Sequence, residues 1–146
     1  MSRTIKQLQE ARQRGDLRAF LREIPYAIFL GLDLEMRDEG PLGLLRASPE
    51  TIGNPLLPAL HGGAICALLE TTAILQIAWE IELISLPKTI TLTISYLRSG
   101  RPQDVFAEAR ITRQGRRVTS VHVEAWQDDR TRPIAVATGH FMIHGA

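Results

Sequence analysis

The spacing of hydrophobic and polar positions changes twice along this chain. Between residues 3 and 22, Leu8, Ala11, Leu17, Phe20 and Leu21 recur at helical spacing among Arg, Gln and Glu. That spacing predicts a short amphipathic helix, interrupted near Gly15-Asp16 and ended by Pro25. Ile28 to Met36 reads as a strand, and Asp38-Glu39-Gly40-Pro41 turns into a second short strand, Leu42 to Ala47. Residues 48 to 60 are a loop by composition, because Ser48, Pro49, Gly53, Asn54, Pro55 and Pro58 all interrupt regular structure. His61-Gly62-Gly63 then opens one long apolar helix, running to Trp79 or Glu80, and Leu86-Pro87 stops the short segment after it.

Beyond this point the period is two. In Thr89-Ile90-Thr91-Leu92-Thr93-Ile94-Ser95-Tyr96 every second residue is apolar, the mark of a half-buried antiparallel strand. Val105 to Thr112 and Val118 to Trp126 flank a Gln114-Gly115 hairpin signal. Asp128-Asp129-Arg130-Thr131 turns into a last strand, Ile134 to Ile143. A helix apolar nearly all round must be buried on most sides. Strands too short to form a sandwich alone bury it by curling around it. The predicted class is therefore α+β, an antiparallel sheet rolled around one central helix.

The 146 residues contain no internal repeat and no Ser/Gly linker, so one domain is expected over residues 1–146, with 1–24 as an N-terminal helical extension. Hydrophobic residues at 45% and charged residues at 23% describe an ordinary globular chain. Seventeen basic against sixteen acidic residues leave a net charge of +1, which gives no footprint for nucleic acid. Cys66 is alone and forms no internal disulfide, and His61, His122, His140 and His144 show no metal-ligand spacing. Neither a metal nor another cofactor is expected. The segment Ala64 to Trp79 reads as too short for a bilayer and contains Glu70, and the charged start Met1-Ser2-Arg3-Thr4-Ile5-Lys6-Gln7 lacks the apolar run of a signal peptide. A cytoplasmic protein with no membrane partner is the expectation.

Candidate chemistry centres on the long helix. Cys66, Ala67, Ala73, Ile74 and Ile77 are the helical neighbours of Glu70, while the polar side is expected along Thr72, Gln76 and Glu80. Glu70 is either a surface glutamate whose stem packs, or a carboxylate held in an apolar setting for general-base work. The two glycines after His61 either make a tight turn or let a ligand approach the unsatisfied N–H groups at the positive end of the helix dipole, donors that suit a developing oxyanion. That makes Gly62 a candidate donor, with His61 and Gly63 beside the substrate. Asn54 either donates its amide to a carbonyl or forms an Asx-turn before Pro55. Arg113 and Arg116, with Arg117, either solvate a hairpin or bind a substrate phosphate. No serine-histidine-acid spacing and no Gly-rich phosphate loop after a strand is found.

Leu60-His61-Gly62-Gly63-Ala64, with Glu70 nine residues after the histidine, resembles the hotdog-fold acyl-CoA thioesterases of the phenylacetyl-CoA thioesterase-like group. Thr89 to Leu97, Gln114-Gly115-Arg116 and Ile134-Ala135-Val136-Ala137-Thr138-Gly139 extend the likeness over residues 28 to 143. The resemblance implies a hotdog fold and hydrolysis of an acyl-CoA without a cofactor. It further implies that the Gly62 N–H holds the thioester carbonyl, that Glu70 activates water or attacks the carbonyl, and that Asn54 and Thr89 assist. Two positions depart from the pattern: Asn54 lies seven rather than six residues before His61, and the acid is Glu where Asp is commoner. A hotdog hydratase or dehydratase is the rival within the fold, although Asn54-Pro55-Leu56-Leu57-Pro58 has Asn where that loop carries its histidine. A catalytically silent acyl-CoA-binding module on the same wrap is the rival of a different class. Gly62 and Glu70, eight residues apart, stand about 12 Å apart along a helix axis. One carbonyl cannot readily reach both, so a homodimer or dimer of dimers that shares its sites between antiparallel central helices is expected, as the resemblance also implies.

Overall fold

Four segments among the described residues begin with helix-starting chemistry, and all four are helical in the computed structural model, which describes residues 2–145. Met1 and Ala146, the outermost residues of the expected domain, lie outside the described residues. Ser2 caps α1 (Arg3–Gln13) by accepting from the Ile5 N–H at 3.3 Å, and Asp16 caps α2 (Leu17–Leu21) through the Ala19 N–H at 3.1 Å. The break between them falls at Gly15-Asp16, as the sequence predicts. Pro25 does not end a helix. It opens a third, α3 (Pro25–Leu30), at the first position, where its missing N–H costs nothing. Ile28, expected in a strand, therefore lies in α3, and Gly31 ends that helix in the left-handed region at φ 75°.

The strand begins one residue later. β1 (Leu32–Arg37) and β2 (Gly40–Leu45) form a hairpin, and β2 pairs with β6 (Val105–Gln114). Next in the sheet come β7 (Val118–Trp126) and β8 (Ala135–Met142), and β5 (Lys88–Tyr96) closes the far edge, giving the antiparallel order β1-β2-β6-β7-β8-β5. The expected loop at 48 to 60 holds a one-turn 3₁₀ helix (Pro49–Thr51) and a small ladder of β3 (Ile52–Asn54) against β4 (Ala59–Leu60). Its prolines lie where no ladder donor is needed.

The sheet curls around α4 (Gly62–Glu80), the hotdog arrangement. At 19 residues α4 is long and apolar enough by length and composition to cross a bilayer, so the expected shortfall does not hold. It is instead the core helix, with 56% of that stretch buried inside the protein. The helical extension joins the same core through Ile5, Leu8, Ala11, Leu17, Phe20 and Leu21. Arg12 also donates to the Trp79 carbonyl at 3.2 Å, satisfying one of the orphan acceptors at the end of α4.

One sequence expectation inverts. Thr72 and Gln76, expected on the solvated stripe, are 1% and 4% exposed. Thr72 satisfies its hydroxyl on the Leu68 carbonyl at 2.7 Å, and Gln76 donates to Glu80 at 2.7 Å. The partly open strip runs instead along Cys66, Ala67, Glu70, Thr71 and Ile74. Small polar groups went inward because α4 crosses β2 at two glycines. A side chain at Gly43 would overlap the Thr72 hydroxyl and press on Leu68 at 3.2 Å. Gly43→Ala should therefore destabilise the fold by about 1–3 kcal/mol, the range of overpacking, as read from the midpoint of urea unfolding at unchanged slope.

The extension is also held by charge. Arg18 binds Asp33 through two bonds of 2.8 Å, and Arg46 adds a third of 2.9 Å. Arg18 foremost, then the Leu34 N–H and Arg46, holds the Asp33 carboxyl well below the usual carboxylate range against the opposing effect of burial. A depressed folded value contributes stability above the unfolded pKa of about 3.9 and loses it as pH falls toward the folded one. Asp33→Asn should thus be less stable than the natural chain at neutral pH, with the gap closing in acid below about pH 4. A gap that stays constant across urea titrations at descending pH would contradict this account.

Candidate active site

Glu70 lies on the strip of α4 that the sheet leaves open, and it is half-buried there. Its Oε1 accepts a hydrogen bond of 2.5 Å from the Thr89 hydroxyl. Parity alone would not bring Thr89 there. Thr91 and Thr93 pair with His140 and Thr138, so a regular strand would place Thr89 on that same outer face. The register shifts between Thr89 and Thr91, and the bulge pairs Thr89 with the fully buried Phe141 instead. The extra residue, Ile90, turns Thr89 inward onto the helix, as bulges beside functional sites do.

The other end of β5 meets the start of α4. His61 is the cap residue, and its Nδ1 accepts from the Gly63 N–H at 2.8 Å. The Tyr96 hydroxyl donates to the Gly62 carbonyl at 2.9 Å. The His61 carbonyl takes the N–H groups of Ala64 and Ile65 at 3.0 and 3.3 Å. Among the described residues, the Gly62 N–H has no hydrogen-bond partner and stays available as a donor at the positive end of the helix. The glycines have packing reasons after all. A Cβ on Gly62 would meet the Tyr96 ring at 3.2 Å, and one on Gly63 the His61 ring at 2.9 Å. A cleft beside Gly62 is walled by Leu60, Ile65, Tyr96 and Leu97, with Arg98 and Ser99 at its edge.

Between these two ends lies Cys66, one turn before Glu70. Burial, then the Glu70 charge, pushes its thiol up, so the thiolate that would make it a nucleophile is disfavoured. Burial, then Cys66, likewise pushes the Tyr96 phenol up, which keeps its proton available for the Gly62 carbonyl.

The remaining candidates lie apart from these. Asn54 spends its Oδ1 on the Leu56 and Leu57 N–H groups at 3.0 and 3.4 Å, the Asx-turn alternative. Arg113 and Arg116 are exposed at the β6–β7 hairpin and line a hollow with Arg117, Ser120 and His140. Across the ladder, Arg113 pairs with Ser120, Ser120 with His140 and His140 with Thr91. Those three strand spacings, about 14 Å in all, separate the hairpin from β5. Among the described residues, no group of three or more His, Cys, Asp or Glu side chains is placed to hold a metal ion.

Tyr96 is the contact that sequence reasoning passed over. The available signal was its place at the end of the apolar face of β5, in phase with Leu92 and Ile94.

A family model described as the thioesterase superfamily matches residues 57–134, which spans the loop, α4, β5, β6 and β7. A medium/long-chain acyl-CoA thioesterase of Salmonella typhimurium, YigI, is 30% identical over 98% of this chain and 99% of its own length. A solved protein of Chromobacterium violaceum is 35% identical with a TM-score of 0.77, covering 94% of this chain and 96% of that one. A Pseudomonas aeruginosa structure is 34% identical with a TM-score of 0.76, over 92% and 98%.

Proposed function

The chain belongs to the thioesterase superfamily and is a thioester hydrolase, and we propose that its substrate is an acyl-CoA, cleaved at a site that joins Glu70 of one chain to Gly62 of a second. The observation that carries this reading is the grip of Thr89 on Glu70 at the open strip of the buried helix. The Thr89 bond engages one carboxylate oxygen and leaves the other for a water. That water gives its proton to Glu70 as its oxygen adds to the thioester carbon, and the carbonyl oxygen gathers charge against the Gly62 N–H. Collapse breaks the carbon–sulfur bond, and the departing CoA sulfur takes the proton from Glu70, leaving the free acid. Direct attack by the carboxylate is the variant step: it breaks the carbon–sulfur bond and releases the CoA thiolate, which takes up a proton. Water then opens the mixed anhydride to the free acid, restoring the carboxylate and a proton. The acyl group is of medium or long chain, by likeness to the Salmonella relative and in keeping with the apolar walls of the Gly62 cleft. Arg113 and Arg116, with Arg117, are the cationic groups offered to the CoA phosphates.

The partner chain is implied by strand β5. Its apolar face, predicted half-buried, covers only Leu92 and Ile94, while Ile90 and Tyr96 are each 53% exposed. β5 is also an edge, with ladder groups unpaired on one side. Two copies pairing antiparallel about the middle of β5 set Tyr96 and Gly62 of one chain against the partner's Thr89 and Glu70. The same two-fold covers the open strip of α4 with its counterpart. A homodimer, alone or doubled to a tetramer, is the assembly this requires.

Free-thiol release from a panel of short, long and aromatic acyl-CoAs tests the reaction itself, because a binding module would show affinity without turnover. Glu70→Gln should fold and lose at least about a hundredfold in kcat, the scale of a lost general base. Near-natural turnover in that folded variant would remove Glu70 from the mechanism. The shared site is checked by mixing two inactive chains, Glu70→Ala and Gly62→Pro. Proline is tolerated at a helix start, and His61 at ψ 129° already holds the conformation that precedes one. The proline Cβ would press on the Tyr96 ring at 3.2 Å, so folding of this chain is checked first. After chain exchange, random pairing should return about a quarter of the natural sites, since half the dimers are mixed and each holds one whole site. Absence of any recovery between folded, exchanging chains would show that each chain works alone.

A further inference from the structure

We propose that Tyr96 is a positioning residue for the reaction: with His61 it clamps both ends of the Gly62–Gly63 peptide and so holds the neighbouring Gly62 N–H on the thioester carbonyl. The proposal rests on the reading of Gly62 as the oxyanion donor.

The need for a clamp is physical. Two consecutive glycines at a helix start have the largest conformational freedom any dipeptide can have, in the turn with the fewest internal bonds. Left alone, that turn frays, and a donor that wanders by an ångström loses most of its value to a transition state. Three tethers oppose this. The His61 carbonyl holds the peptide before Gly62 through the Ala64 and Ile65 N–H groups at 3.0 and 3.3 Å. The His61 ring holds the N–H of the following peptide at 2.8 Å, and the Tyr96 hydroxyl holds its carbonyl at 2.9 Å. Both peptide planes that flank the Gly62 Cα are thereby pinned, and the Gly62 N–H, carried by the first of them, stays free.

Glycine at position 62 is part of the same device. Its missing Cβ is what admits the Tyr96 ring, which would stand 3.2 Å from that atom. The residue that makes the turn floppy also lets in the side chain that stiffens it. Tyr96 comes from β5, which is held to Glu70 by Thr89 seven residues away. One strand thus grips both groups that the reaction uses, each through a hydroxyl.

Tyr96→Phe keeps the ring over Gly62 and removes only the donor. It should lower kcat by about tenfold, a part of what losing an oxyanion donor costs, and leave KM within about twofold. His61→Ala should act in the same way, and His61→Asn should restore most of the loss, because an Asn cap still accepts from the Gly63 N–H. Since both side chains hold one peptide, the double variant Tyr96→Phe/His61→Ala should lose less than the product of the single losses. In the free protein, hydrogen exchange at the Gly63 amide should quicken in Tyr96→Phe, a change read by NMR without any substrate. An unchanged Gly63 amide, an unchanged kcat, or losses that simply multiply would each overturn the clamp. A natural chain that releases no thiol from any acyl-CoA would overturn the assigned reaction instead, while the Gly63 amide still reports on the clamp.

Discussion

Burying a long apolar helix inside a single curled sheet governs every other feature of this chain. A sheet of six strands covers most of α4 but not all of it, and the uncovered part is the strip holding Cys66, Ala67, Glu70, Thr71 and Ile74. Close wrapping also requires β2 to approach the helix backbone. Glycine at 43 permits that, and the small polar side chain of Thr72 turns back onto its own helix. The wrap therefore decides which carboxylate of α4 faces the uncovered strip. Glu80 ends the helix in solvent, whereas Glu70 lies in the one opening midway along it.

Edge strand β5 then turns that opening into a site. The strand touches the helix at two hydroxyls, Thr89 on Glu70 and Tyr96 on Gly62, and its bulge at Ile90 makes the first of these contacts possible. Without the bulge, Thr89 would share the outer face with Thr91 and Thr93, and Glu70 would have no partner on β5. The device is local, a single inserted residue, yet it determines the orientation of the carboxylate. The cost is an edge that carries apolar side chains without cover, the same edge on which the proposed partner chain pairs.

Periodicity makes the sheet and the central helix legible because burial is periodic, and β6, β7, β8 and α4 all lie within a few residues of their predicted limits. Pro25 and the Ile28 segment mislead because proline punctuates without saying on which side of it the helix lies, and a six-residue apolar run fits either a strand or a helix. Thr72 and Gln76 mislead for a related reason. A helical wheel ranks faces by polarity, but the sheet chose a face by shape, seating Thr72 against Gly43 and Gln76 against Gly40 where β2 comes close. For the site, Glu70 and the His61-Gly62-Gly63 opening stand out as departures from local rules, an acid among apolar neighbours and glycines where a helix would not spend them. Tyr96 does not stand out, since a tyrosine ending a strand breaks no rule, and its hydroxyl meets Gly62 only through the tertiary fold.

Cys66 and Glu70 stand one helical turn apart on the open strip, and the fold treats them differently. A thiol must ionise before it is a good nucleophile, and burial together with the adjacent carboxylate keeps the Cys66 thiol protonated. The Glu70 carboxylate is instead oriented by the hydrogen bond that its Oε1 accepts from Thr89. The two residues are thus complementary rather than redundant: the carboxylate proposed as base also helps keep its neighbour's thiol protonated. A neutral thiol at this place on the open strip contributes apolar surface and no charge. In an opening proposed to admit an acyl chain beside one working carboxylate, that is the property the position requires.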